Sequence, residues 1–113
     1  MQDTTNERNV KYIFVSVEDG GVLKVVPEQA QVEGLDVLLT FCLTTDGWRF
    51  PATGAVTVAQ PGTSFPFTAW TVKDQLAVLP DRNNESGTFS YTVAVEQDGG
   101  LRLTVDPTIV NEG

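Results

Sequence analysis

Short runs of alternating hydrophobic and polar residues fill most of this chain, and Gly, Pro, Asp and Asn separate them. A period of two residues is typical of half-buried β-strands, and no window keeps the 3.6-residue period of an amphipathic helix. We therefore expect an all-β fold of about eight short strands. The pattern predicts these strands at 10–18, 22–26, 36–45, 55–60, 65–73, 75–79, 88–96 and 101–105, with a short return strand at 48–50 and a short tail at 108–110.

Three turns carry hairpin signals. Asp19-Gly20-Gly21 joins the first two predicted strands, Asp46-Gly47 precedes Trp48, and Asp98-Gly99-Gly100 joins two strands near the C-terminus. Glycine adopts the positive φ angles that tight hairpins require, so each turn predicts an antiparallel pair. Short strands with a turn roughly every ten residues predict a single antiparallel β-sandwich.

The predicted strand 36–45 is apolar on both of its faces. One alternating set is Val37, Leu39, Phe41 and Leu43, and the other is Leu38, Thr40, Cys42 and Thr44. A strand of this kind is typical of the interior of a sheet that is covered on both sides. We therefore expect 36–45 to be a central strand.

Composition agrees with this pattern. The 113 residues include 16 Val and 14 Thr but only 7 Ala, and β-branched side chains favour strands over helices. At this length the chain is large enough for one domain. We expect residues 1–9 to be a flexible N-terminal segment and residues 10–113 to form a single β-sandwich domain.

The charge balance limits the classes of binding partner that we expect. Fifteen acidic and seven basic residues give a net charge of −8, whereas nucleic acids and anionic membranes attract clustered Lys and Arg. We therefore expect neither as a partner. The absence of His removes Ser-His-Asp and Cys-His catalysis and most transition-metal sites. No catalytic residue, metal site or cofactor is predicted, and we expect the protein not to be an enzyme.

Calcium prefers hard oxygen ligands, and the loop Asp81-Arg82-Asn83-Asn84-Glu85 is rich in them. Its spacing does not match an EF-hand, so we interpret these residues as turn formers instead. Cys42 is the one thiol, within an apolar run, and is expected to be a buried small hydrophobe. A single free Cys and the lack of a signal-like N-terminus predict a cytoplasmic protein.

Two resemblances bear on the fold. Gly87-Thr88-Phe89-Ser90-Tyr91, after a polar loop, resembles the corner motif of immunoglobulin-like domains, with Phe89 in place of the usual Tyr and Tyr91 in place of the usual Cys. Trp48 resembles the Trp that lies between the sheets of such domains. These residues imply an immunoglobulin-like sandwich, without implying an antibody-like function.

The C-terminal quarter is similar to the small bacterial DP-EP family. The motif reads Phe89-Ser90-Tyr91-Thr92-Val93, then Gly99-Gly100, then Asp106-Pro107-Thr108-Ile109-Val110-Asn111-Glu112. Gly113 stands where the family has its second Pro. The resemblance implies a small β-sandwich and brings no catalytic residues, because the family has no established activity.

Aromatic residues suggest where a ligand would bind. Trp48, Phe50 and Trp70 lie on neighbouring predicted strands, and an exposed Trp can stack on a sugar ring or anchor a protein. We consider all three as ligand-binding residues. The other interpretation is that both Trp side chains fill the core of a small sandwich.

The first predicted strand carries apolar residues on both faces. Tyr12 and Phe14 alternate with Ile13, Val15 and Val17, so one set has to face away from the core. An exposed apolar face on an edge strand invites pairing with another chain, and a homodimer would cover it. Tyr12 and Phe14 are therefore the predicted interface residues.

The resulting functional hypothesis is a non-catalytic structural or protein-interaction module that self-associates through its N-terminal strand. The alternative is a carbohydrate-binding module that uses exposed Trp side chains. Both leave the identity of a glycan or protein ligand open.

Overall fold

The alternating segments form ten β-strands within residues 9–112, the part of the chain that this computed structural model describes. No helix able to cross a membrane occurs in that range. The predicted flexible segment lies outside the described residues except for Asn9, which begins the first strand. The strands are β1 (Asn9–Glu18), β2 (Val22–Val26), β3 (Gln29–Val32), β4 (Val37–Leu43), β5 (Val56–Val58), β6 (Trp70–Lys73), β7 (Leu76–Asp81), β8 (Gly87–Glu96), β9 (Arg102–Val105) and β10 (Thr108–Asn111).

The described strands form two sheets. The first sheet has the order β2-β1-β4-β7-β6, and the second has the order β3-β10-β8-β5, with β9 also paired to β8. Apolar side chains from both sheets share one buried core, and the ring of Phe41 meets the ring of Tyr91 edge-on at 5.7 Å between centroids. The sandwich-like all-β fold expected from the sequence is confirmed, whereas its immunoglobulin-like character stays a prediction.

The sheets are mixed, so the expectation of purely antiparallel pairing is wrong. β1 runs parallel to β4, and β3 runs parallel to β10. Pro27 explains the first case, because a proline cannot donate to a ladder and the chain leaves the first sheet at that point. β3 then continues in the second sheet, and the next reversal returns β4 to the first sheet in the direction of β1.

Several strand boundaries differ from the predicted ones. The polar stretch before β4 contains β3, in which only Ala30 and Val32 are buried. The expected return strand at 48–50 is reduced to one bridge between Arg49 and Glu96. The segment 65–69 is irregular, so the strand there begins only at Trp70, and β7 extends to Asp81 into a predicted loop.

Candidate functional site

The outer face of the first sheet, which points away from the core, carries exposed aromatic residues. β1 alternates as the sequence predicts, with Ile13 and Val15 fully buried against the second sheet. Tyr12 and Phe14 point the other way and are 56% and 49% exposed. Both predicted interface residues are therefore accessible on this face.

The register of the sheet lines these side chains up with apolar partners. One row across the sheet runs through Tyr12, Thr40, Val78 and Trp70, each opposite the next. Val78 is buried yet does not belong to the core between the sheets, since it lies in this row on the other face.

The row beside it continues the apolar surface. It runs through Val26, Phe14, Cys42 and Leu76. These two rows, together with Val10, Leu38 and Pro80 in a third, define the outer face as the name is used below.

β1 is not the edge strand that the sequence suggested. It lies between β2 and β4, and β2 forms the edge of the first sheet on this side. The reason is the hairpin at Gly20-Gly21, which folds β2 back onto β1, while the later β4 pairs with its other side. Tyr12 and Phe14 therefore offer a sheet face, not a strand edge, to another molecule.

From β2 to β7 the three rows hold no charged side chain, and charges follow at the borders of the outer face, where Lys73 of β6 continues the second row. At the β2 end, Lys24 Nζ lies 3.8 Å from Glu18 Oε2 in an exposed ion pair. At the β6 end, Lys73 lies opposite Leu76. Burial raises the pKa of the partly buried Cys42 thiol, so this side chain is also uncharged near neutral pH.

Trp48 and Phe50, two of the predicted ligand-binding residues, are buried in the core. Backbone bonds explain this placement: Arg49 and Glu96 exchange two bonds of 2.9 Å, and Phe50 N donates to Asp74 O at 2.7 Å. The segment is thus held between the two sheets, and only the Arg49 side chain reaches outward, to Glu96 and Asp98. For Trp48 and Phe50 the core-filling interpretation fits, because neither ring is presented to solvent.

Trp70, the third predicted ligand-binding residue, is 49% exposed. It stands at the rim of a groove of about 600 Å³ along the open side of the sandwich, between β5 and β6. Val56, Phe65 and Leu79 form part of its lining, and the exposed Phe67 forms part of its wall. The role of Trp70 in ligand binding stays a prediction, and the groove beside its side chain is where a ligand would lie.

The chain segment that supplies most of the groove lining contains no charged residue. From Phe50 to Val72 the chain contains no Asp, Glu, Lys or Arg, although the whole molecule carries a net charge of −8. Thr53, Thr57 and Thr68 supply hydroxyl groups among the apolar lining residues. The lining residues themselves suit a neutral ligand, because they offer an ion no charged partner. Arg102 is a charged residue beside them, with Nη2 3.8 Å from where a Cβ on Gly54 would lie.

The oxygen-rich loop 81–85 uses its side chains within the protein. Asn84 Oδ1 accepts hydrogen bonds from Ser64 and Thr63, and Glu85 Oε1 accepts one from the Thr63 backbone at 3.0 Å. These contacts tie the loop to a second loop, whereas the bond from Asn83 N–H to Asp81 Oδ1 at 2.8 Å is local to the turn. Across residues 9–112, no three His, Cys, Asp or Glu side chains are grouped so that they could hold a metal ion.

Two sets of residues escaped the sequence reasoning. Strand alternation would put Phe67 on the same face as Phe65, but the irregular backbone there leaves Phe65 buried and Phe67 63% exposed. The continuation of the outer face through Thr40 and Val78 depends on strand pairing. Its one sequence signal is the apolar second face of β4.

These features define the chain as a small all-β sandwich with an uncharged aromatic sheet face and an uncharged side groove. A scan against protein-family models matches no family, and a search of curated proteins finds no relative. The resemblance to the DP-EP family therefore stays a prediction that rests on the C-terminal motif.

Proposed function

We propose that this protein is a non-catalytic interaction module that self-associates through the outer face of its first sheet. The observation that carries the proposal is the row of Tyr12, Thr40, Val78 and Trp70 across that face, with Phe14 beside it. Tyr12, Phe14 and Trp70 are about half exposed, whereas Thr40 and Val78 between them are buried. Exposed large apolar side chains clustered on one face mark interaction sites on soluble proteins. We also propose a cytoplasmic location, since the described chain holds one thiol and it is free.

The chemistry of the face favours a second copy as its partner. An uncharged surface needs an uncharged surface opposite it, and a two-fold axis places the face against itself. On a molecule of net charge −8, the apolar rows are the part on which two copies meet with the least repulsion.

The size of the face sets the expected affinity. Strands about 4.8 Å apart that rise about 3.3 Å per residue give an area of roughly 20 Å by 20 Å. A standard interface takes about 800 Å² from each partner, so this face alone is small. We therefore expect a weak dimer, visible at concentrations on the order of 100 µM.

Light scattering of Phe14→Glu against wild type tests this proposal. The new carboxylate would be buried unpaired in the dimer, so we expect wild type to dimerise at high micromolar concentration and Phe14→Glu to stay monomeric. Leu101→Glu is the matched control, because Leu101 is 54% exposed in a turn away from the face. A monomeric wild type, or equal association of both variants, would contradict the proposal.

Cys42 provides an independent reporter, since it lies beside Phe14 on the outer face. We expect its alkylation rate to fall as wild-type concentration rises, because the partner covers the thiol. In Phe14→Glu the rate should not depend on concentration. A wild-type rate that is also independent of concentration would place the contact elsewhere.

The groove between β5 and β6 favours a second candidate, the binding of a neutral carbohydrate. Trp70 and Phe67 offer half-exposed rings for stacking on a sugar, and threonine hydroxyls lie among the lining residues. A neutral glycan suits this groove, because the segment from Phe50 to Val72 contains no charged residue. In this candidate, Phe67 has the ligand-binding role that was predicted for Trp48 and Phe50.

Tryptophan-fluorescence titration across a panel of neutral glycans tests this candidate. We expect binding to be lost in Phe67→Ala and Trp70→Ala and kept in Phe14→Glu. Trp70 belongs to both surfaces, and Phe67 also lines a pocket with Leu38 and Pro80 of the outer face, so Phe14→Glu is the variant that separates the two candidates. No response to any glycan, or unchanged binding in Phe67→Ala, would remove carbohydrate binding.

A further inference from the structure

Asp81 and Asn111 join the two sheets at one end of the sandwich. Asp81 is the last residue of β7 in the first sheet, and Asn111 is the last residue of β10 in the second. Their exposed fractions are 1% and 2%, so both polar side chains lie in the protein interior. A buried carboxyl group calls for a physical explanation, because removing its charge from water is costly.

One oxygen of this carboxyl group is well satisfied. Asp81 Oδ1 accepts a hydrogen bond of 2.8 Å from the Asn83 backbone N–H and one of 3.0 Å from Asn111 Nδ2. The Asn83 side chain donates in turn to the carbonyl oxygens of Val32 and Gly34, at and just after the end of β3. The cluster thus connects three strand ends.

The other oxygen of each group is not satisfied. Within the described chain, Asp81 Oδ2 and Asn111 Oδ1 are both buried and have no hydrogen-bond partner. If Asp81 were ionised, both atoms would be acceptors, and each would lack a donor. Reversing the Asn111 amide does not help, because its oxygen would then face Asp81 Oδ1, which is also an acceptor.

One added proton would give both unsatisfied oxygen atoms a hydrogen-bond partner. We infer that Asp81 is protonated on Oδ2 in the folded protein and donates this proton to Asn111 Oδ1. The carboxylic acid and the amide then form a closed pair: the amide N–H donates to one acid oxygen, and the acid O–H donates to the amide oxygen. This inference does not depend on the proposed function, since Asp81 belongs to the core-facing side of the first sheet, with Ala77 and Leu79.

The surroundings of Asp81 agree with a neutral carboxyl group. Burial raises its pKa, and this effect exceeds the opposing effects of the bonds from Asn83 and Asn111. Charged residues next to the cluster on each neighbouring element are exposed, and in residues 9–112 no ion pair joins any of them to Asp81. These residues are Glu33 after β3, Asp36 before β4, Arg82 and Glu85 after β7, and Glu112 after β10.

The sign of the pH dependence follows from the raised pKa. The folded state binds the proton more tightly than the unfolded state, in which the pKa of an Asp side chain is about 3.9. The stability from this pair is therefore complete below that pH and is lost as pH rises towards the folded-state pKa. This is opposite to the usual behaviour of a salt-bridged Asp. The pair acts as a proton-dependent latch where β3, β7 and β10 end.

Urea unfolding of wild type and Asp81→Asn across pH tests the latch. The amide introduced by this substitution keeps a donor for Asn111 at every pH. Relative to the variant, we expect the folding constant of wild type to fall about tenfold per pH unit between about 3.9 and the folded-state pKa, then to level off. Asp19→Asn, in an exposed turn, controls for the loss of one charge.

A carbon-13 NMR titration of the Asp81 carboxyl group in wild type gives a second measurement, which stands even if Asp81→Asn does not fold. A midpoint above the ordinary Asp value supports the inference, and one at or below it overturns it. A tenfold or greater loss of stability in Asp81→Asn at pH 7 would also overturn it. Stabilisation of wild type by added Ca²⁺, absent in Asp81→Asn, would show that a cation fills the gap instead.

Discussion

Tyr91 shows how one side chain can pack well and still carry a polar defect. Its ring fills the core against Phe41, but among residues 9–112 its buried hydroxyl has no hydrogen-bond partner. Burial also raises the pKa of the phenol well above its ordinary value, so the hydroxyl stays uncharged. The aromatic ring therefore contributes to stability, while the oxygen detracts from it.

Replacing Tyr91 with Phe removes the unsatisfied hydroxyl and keeps the ring. We expect Tyr91→Phe to raise the free energy of unfolding by about 1 kcal/mol, because an unpartnered buried polar group carries a desolvation cost. Urea unfolding measures the change, and Tyr12→Phe, which alters an exposed hydroxyl, should leave stability nearly unchanged. A clear loss of stability in Tyr91→Phe would mean that the hydroxyl has a bonding partner, such as an internal water.

At the scale of structural elements, two loops are tied together by Glu85. Its Oε1 accepts the Thr63 backbone N–H at 3.0 Å and connects the loop after β7 to the loop before Phe65. Gly62 has a φ of +55°, and a Cβ there would lie 2.6 Å from the same Oε1 atom. The glycine thus both allows the turn and leaves room for the carboxylate.

A double-mutant cycle tests this arrangement. Gly62→Ala should cost about 1–2 kcal/mol from the left-handed backbone, plus the Glu85–Thr63 bond that the new methyl group displaces. In the Glu85→Ala background that bond is already absent, so we expect Gly62→Ala to cost about 1 kcal/mol less. Chemical denaturation of the four proteins measures the coupling, and strictly additive losses would argue against it.

At the scale of the whole molecule, net charge opposes the proposed self-association. Two copies at −8 repel each other, whereas the rows of the outer face from β2 to β7, on which they meet, hold no charged side chain. Added salt screens charges over a Debye length of about 10 Å at 0.1 M, and it does not weaken apolar contacts. Ionic strength should therefore act on the repulsion alone.

We expect wild-type dimerisation to strengthen between low salt and about 0.5 M NaCl, as measured by sedimentation equilibrium. Phe14→Glu should remain monomeric over the same range, which separates the specific contact from general salting out. If salt weakened the association, attraction between charged groups would hold the copies together. The apolar outer face would then not be the interface.

The sequence-based predictions that the structure confirms depend on the chemistry of a few adjacent residues. Asp19-Gly20-Gly21 and Asp98-Gly99-Gly100 each join an antiparallel pair, because tight turns depend on a few adjacent residues. The alternation in β1 separates Ile13 from Phe14 correctly, since side chains on a strand alternate whatever its neighbours are. The two apolar faces of β4 indicated its central position in the same way.

The sequence by itself thus determined an all-β sandwich and the two faces of its first strand, because period and turn chemistry are local properties. Only the tertiary structure decided that β4 lies parallel to β1, and that Tyr12 and Trp70 share one row. It also decided that Trp48 is in the core and that Asp81 meets Asn111, 30 residues away. Each of these depends on which distant strands become neighbours, and competition for burial among all the strands settles that choice.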